Sequence, residues 1–158
     1  MDLVNGYGFG YWMDPNRSRI QQVEKLVHRY NAARLHGRLD SLLGRLTGRS
    51  SQLLDLAVVH VRLEGRRSYA GTRPVRISQI RGSEGRCQDF DQEFNPRSEK
   101  NLARWLSVAQ AKLKGVVLPP VELIQVGEVF FVRDGHHRIS VAHALGEEYI
   151  DAEIILEK

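Results

Sequence analysis

Residues 129–145 read VFFVRDGHHRISVAHAL, and the order of residue types in this stretch decides the fold. Val129, Phe130, Phe131 and Val132 form a short apolar run of the kind a buried strand needs. Arg133, Asp134 and Gly135 then make a turn, and a helical pattern opens at His136. Strand, turn and helix in that order bring backbone N–H groups, two imidazoles and the Arg138 guanidinium to one helix start. The first turn of a helix has unpaired N–H donors at the positive end of its dipole, which suits a phosphate. Gly135 lacks a Cβ, so the backbone can take a positive φ or approach a ligand closely. Arg138 can grip a phosphate with its planar fork.

Working outward, Gly127-Glu128 is a two-residue hairpin turn joining residues 129–132 to a strand over 121–126. Pro119 and Pro120 hold the approach to that strand extended. Before it, Ser98 reads as the cap of a helix with Leu102, Trp105, Leu106, Ala109 and Leu113 on one face and Gly115 as its stop. After residue 145, Gly146 ends the helix, and Ile150, Ala152, Ile154 and Leu156 alternate as a last strand. Residues 75–80 read as a further strand, and 81–96 as a polar loop.

The N-terminal half is less regular. Tyr7, Phe9, Tyr11 and Trp12, spaced by glycines, suggest an arm or an aromatic docking stretch. Asp14-Pro15 reads as cap and first residue of a helix over about 15–36, with Ile20, Val23, Val27, Tyr30 and Arg34 on one face and Leu26 beside it. Gly37 is placed to interrupt it. A second amphipathic piece carries Leu39, Leu42, Leu43 and Leu46 and ends at Thr47-Gly48. Residues 53–63 suit a helix or a strand, and 65–68 form a basic loop.

The expected class is α+β, a small mixed sheet with packed helices plus an N-terminal helical extension. The division falls between a basic extension over 1–72 and a domain over 73–158. A chain of 158 residues is long enough to bury a core, and 42% hydrophobic with 27% charged residues is ordinary for a globular protein. The single cysteine, Cys87, excludes an internal disulfide framework and a cysteine-based zinc cage. No basic, apolar leader opens the chain and no apolar run reaches the length of a membrane span, so a cytoplasmic protein without a membrane partner is expected. The net charge of +4 is uneven. Residues 1–80 hold 13 Lys and Arg against 6 Asp and Glu, and residues 81–158 hold 10 against 13. That asymmetry reads either as a polyanion-binding surface in the first half or as a solvated arginine-rich one.

Several residues carry chemistry in more than one reading. His136 and His137 either donate to phosphate oxygens or cap the turn. They do not share a helix face, and His136 and His143 lie about 10 Å apart along the helix axis, too far for one metal ion. Asp134 either shapes the turn or holds a divalent ion that bridges phosphates. In the loop over 82–94, Phe90 and Phe94 are expected to bury. Arg86, Asp89, Asp91 and Glu93 then remain for solvent, a metal or general-base work.

The run from Leu118-Pro119-Pro120 through Asp134-Gly135-His136-His137-Arg138 to Ala144-Leu145-Gly146 and Tyr149-Ile150-Asp151 resembles the ParB/sulfiredoxin superfamily. The likeness is to its ParB-like domains with a DGHHR box, over roughly residues 75–156. It implies nucleotide or phosphate-ester binding at Gly135, His136, His137 and Arg138, and the residue reading adds Arg86 as a phosphate contact and Asp134 and Glu93 as candidate catalytic groups. Mg2+ with the nucleotide is the implied cofactor, and nucleotide hydrolysis or phosphoryl transfer the implied chemistry. Sulfiredoxins keep a cysteine immediately before the His-Arg pair. Here that position is His136, so their redox chemistry lacks its nucleophile. ParB proteins proper have a Gly-Glu-Arg-Arg box and a downstream DNA-reading domain, and residues 134–138 depart from the first. The alternatives are a nucleic-acid-binding module or ParB-like nuclease acting on DNA through the basic half, and a regulatory protein docking a partner or a second copy.

Overall fold

The computed structural model describes residues 15–48, 50–60 and 66–157. The aromatic arm, the Asp14 cap, and residues 61–65 at the end of the ambiguous stretch and the start of the basic loop lie outside them. In chain order the elements are α1 (Pro15–Thr47), β1 (Leu54–Asp55), α2 (Leu56–His60), β2 (Arg67–Arg76), a 3-10 turn (Ile77–Gln79), β3 (Ile80–Ser83), a second 3-10 turn (Glu99–Asn101), α3 (Leu102–Leu113), β4 (Val121–Val126), β5 (Val129–Asp134), α4 (His136–Ala144) and β6 (Tyr149–Glu157). The architecture is α+β, with helices against one mixed sheet. The six strands run in the order β1-β3-β5-β4-β6-β2. β1 with β3, β3 with β5 and β4 with β6 are parallel, while β4–β5 and β2–β6 are antiparallel.

The hairpin at Gly127-Glu128 forms as its residue types require, with Val126 opposite Val129. Period-2 alternation divides the central strands between two faces. Val121, Leu123, Val132, Ala152 and Ile154 share a buried cluster with Ile139 of α4 and with Phe90 and Phe94. On the other face Ile124 and Phe131 pack with Leu56 of α2. A third cluster joins the helices, with Leu26 and Tyr30 of α1, Trp105 and Ala109 of α3, and Val141 of α4. Trp105 donates to Ser140 Oγ at 3.0 Å, and Tyr30 donates to the Ser98 carbonyl at 2.6 Å. The two rings meet edge to face with centroids 5.4 Å apart, a geometry that contributes about 1 kcal/mol beyond burial.

Five expectations change. α1 is one helix of 33 residues, where two pieces were expected. Gly37 leaves room against α1 for the loop that carries Asp91. A Cβ there would run into the Asp91 carboxylate and lie 3.1 Å from Asn95 Cβ. The buried face of α1 runs through Leu26, Tyr30, Gly37 and Gly44. It is rotated from the expected one, and Ile20, Leu39, Leu42, Leu43 and Leu46 are exposed. The strand expected over 75–80 is broken after Arg76 by the 3-10 turn, with Ile77 donating its N–H to the Glu148 carbonyl at 2.9 Å. Ser98 is extended and makes no side-chain cap, and the 3-10 turn after it leads into α3. The division expected between residues 72 and 73 falls inside β2, which pairs with β6 from Arg67 to Arg76.

Candidate functional site

The DGHHR stretch lies where β5 hands over to α4. β5 runs two residues past the apolar run, to Asp134, and Gly135 is the N-cap of α4 with φ 103° and ψ 16°. No side chain caps that end of the helix. The Ile139 N–H bonds the Gly135 carbonyl at 3.0 Å, so the N–H groups of residues 136–138 precede the first intrahelical bond. Gly135 needs its φ for the turn, and it also has no room for a side chain. A Cβ would strike Val121, whose Cβ would be 2.7 Å away.

Arg138 is largely committed to the fold. Its Nη1 donates to the carbonyls of Pro119 at 2.6 Å and Pro120 at 2.8 Å, and its Nη2 donates to Asp134 Oδ2 at 2.5 Å. The two prolines hold both carbonyls in an extended segment just before β4. The guanidinium therefore ties that segment to the start of α4 and fixes the Asp134 carboxylate. Asp134 accepts from a side chain four residues on.

The two histidines take different places. His136 is 3% exposed, lies with its ring tilted 20° to that of Phe90, and has Nε2 2.7 Å from Ser83 Oγ. Its side chain is turned into the protein, and what it offers the helix start is its backbone N–H. His137 meets Phe90 edge-on with centroids 5.4 Å apart, and its Nε2 is buried without a hydrogen-bond partner. Burial, helped by the positive charge of Arg86, pushes each imidazole from 6.5 down to about 4. At neutral pH both are neutral rings.

These groups border an open cleft of about 650 Å³, into which three arginines converge from three segments: Arg86, Arg104 and Arg138. Arg86 belongs to the loop after β3, where its Nε donates to Asp89 at 2.8 Å and its N–H donates to Ser83 Oγ at 3.2 Å. Arg104 stands exposed on α3. Asp134 is the one carboxylate on the cleft wall among the described residues. Sequence reading missed Arg104 and Ser83, because neither belongs to a motif and both reach the site only through the packing of α3 and β3.

Glu93 and Asp91, two other acidic residues of the loop, lie elsewhere. Glu93 sits 3.6 Å from His36 Nδ1 on α1 and borders a different cleft with Arg76, Arg81 and His143. Asp91 is not free for solvent or a metal. It is 3% exposed and accepts the N–H groups of Glu93 at 2.9 Å and Asn95 at 2.8 Å, and the Asn95 side-chain amide at 3.0 Å. Burial raises its pKa above the ordinary carboxylate range. Cys87 is half-buried against the cluster that holds Phe90, and burial raises its thiol as well. A raised thiol is a poor nucleophile at neutral pH. No helix among the described residues is long and apolar enough to cross a membrane.

No protein-family model and no curated protein matches this chain. Among solved structures, the crystal structure of sulfiredoxin from Arabidopsis thaliana matches with a TM-score of 0.39 and 18% identity, covering 54% of this chain and 84% of that one. At that score the likeness carries nothing about activity, and the cleft is read from its own residues.

Proposed function

We propose that the cleft at the start of α4 binds the phosphate groups of a nucleotide or other phosphate ester. The convergence of Arg86, Arg104 and Arg138 on an uncapped helix start, with one carboxylate among them, carries this reading. Arg86 and Arg138 keep carboxylate partners in Asp89 and Asp134, and Arg104 adds a third positive charge that an anionic ligand would offset. The backbone N–H groups of residues 136–138 supply donors without rearrangement. The volume is within the range of small-molecule sites. A single carboxylate beside three guanidinium groups does not fit a resident divalent ion. Mg2+ would enter as the nucleotide chelate, with the Asp134 carboxylate on the cleft wall as the protein group beside it. Hydrolysis or phosphoryl transfer would need a base, and neither histidine, with its pKa at about 4, is matched to that task.

The test is calorimetric titration of nucleoside triphosphates and diphosphates, with and without magnesium, into the wild type and Arg104→Ala. Arg104 makes its contribution through the cleft, so its loss should weaken binding by about 2 kcal/mol, roughly thirtyfold, at unchanged melting temperature. Equal affinity in both proteins, or none in the wild type, would sink the assignment.

A second reading rests on another face. Arg34, Arg38, Arg45 and Arg97 border a cleft of about 350 Å³ between α1 and the segment before α3, with no carboxylate on its wall among the described residues, although Arg34 pairs with Glu99 at 2.7 Å. That favours a nucleic-acid backbone as its occupant. DNA affinity that falls steeply with salt and drops in Arg38→Glu would support it.

A further inference from the structure

We infer that His36, Asp40 and Glu93 form a binding site for a divalent transition-metal ion of borderline character, zinc foremost. His36 and Asp40 are one helical turn apart on α1, so their side chains share a face by construction. Glu93 approaches from the loop on which α1 packs. His36 Nδ1 lies 3.0 Å from Asp40 Oδ2 and 3.6 Å from Glu93 Oε2, and the three ligand atoms all fall within 4.8 Å of one another. Zinc bonds nitrogen and oxygen ligands at about 2.0–2.2 Å in a tetrahedron, which sets neighbouring ligand atoms about 3.3–3.5 Å apart. The two measured separations bracket that spacing, and the Asp40 and Glu93 oxygens lie within 4.8 Å of each other.

The backbone beneath each ligand is held. On the loop side, Asp91 fixes the turn by accepting the Glu93 N–H at 2.9 Å and that of Asn95 at 2.8 Å. On the helix side, Gly37, adjacent to His36, lets α1 lie directly against Asp91 and Asn95. At about 100° per residue, His36 and Asp40 point away from Arg34, Arg38 and Arg45, so these three arginines of α1 do not face the ion. The chemistry of the ligands selects the metal. One imidazole and two carboxylates suit zinc and its neighbours, whereas magnesium and calcium prefer all-oxygen shells. All three side chains are partly open to solvent, so water completes the fourth position. None of the three residues borders the α4 cleft. The role of Glu93 is therefore that of a ligand clamping the loop to α1.

Titration of zinc chloride into the full chain at neutral pH tests this, with magnesium chloride as the control ion. The expected result is one saturable zinc site, a rise in melting temperature on adding zinc, and no response to magnesium. His36→Ala and Glu93→Gln should each lower zinc affinity at least tenfold, while Cys87→Ser and His143→Ala leave it unchanged. The affected side chains are exposed, so metal-free melts of both variants should match the wild type. Asp40→Asn provides a third variant with the same expectation. Absence of saturable zinc binding, affinity unchanged in either His36→Ala or Glu93→Gln, or loss of binding in Cys87→Ser or His143→Ala would overturn the assignment.

Discussion

Gly135→Ala separates two uses of a glycine at a helix start, access for a ligand and access for the fold itself. The backbone there has φ 103°, and a Cβ would strike Val121, which is fully buried in β4. Placing an L-residue in left-handed backbone costs about 1–2 kcal/mol. Forcing an extra carbon into a packed site costs about 1–3 kcal/mol more. The reduced freedom of the unfolded chain returns about 0.4–1 kcal/mol. The net loss is about 1–4.5 kcal/mol, which for a chain of this size lowers the melting temperature by roughly 3–14 °C. Calorimetric melts of wild type, Gly135→Ala, Val121→Ala and the double variant resolve the two parts. Val121→Ala removes the nearer obstructing atom, so Gly135→Ala should cost less in that background, with a coupling of about 1 kcal/mol or more. A Gly135→Ala protein melting within about 2 °C of wild type would refute the steric reasoning. An identical cost in both backgrounds would refute the part played by Val121.

Three further outcomes follow from the same geometry. His136 has a folded-state pKa of about 4 against 6.5 unfolded, so its contribution to stability is complete above pH 6.5 and lost as pH falls toward 4. The loss at pH 5 is about 2 kcal/mol by linkage. Asp91, whose pKa is raised, acts in the opposite sense and gains as pH falls. Urea denaturation of wild type and His136→Gln at pH 7 and 5 checks this, and an equal pH dependence in the two would contradict it. Arg138→Ala should both weaken nucleotide binding and destabilise the fold by about 2–4 kcal/mol, since three charge-assisted bonds disappear and two proline carbonyls lose their donor. Unchanged urea stability in that variant would show the bonds to be incidental. Gly37→Ala should lower stability by about 1–3 kcal/mol although alanine favours helix by about 1 kcal/mol, because its Cβ meets Asp91 and Asn95. A melting temperature above wild type would remove Gly37 as the contact point.

What the sequence by itself determined was local. The apolar run, turn and helical pattern over 129–145 predict β5 and α4 in order, because periods of 2 and 3.6 and a glycine at the joint are written into neighbouring residues. The Gly127 hairpin, α3 and β6 are legible for the same reason, and the resulting class, α+β, is the one observed. Tertiary structure alone decided what those elements face. Residues 98–113 have a clear apolar face, yet nothing in them says that Arg104 would look into the cleft at the start of α4. The leucines over 39–46 repeat as a core would, but the loop on Gly37 turns that face to solvent. His136 and His137 are chemically identical in the sequence. Ser83 and Phe90, about fifty residues away, draw the first ring inward and leave only its N–H at the helix start. Glu93 likewise has no sequence neighbour that places it on His36 and Asp40. Such pairings depend on chain segments far apart in sequence, and only packing of the whole core brings them within bonding distance.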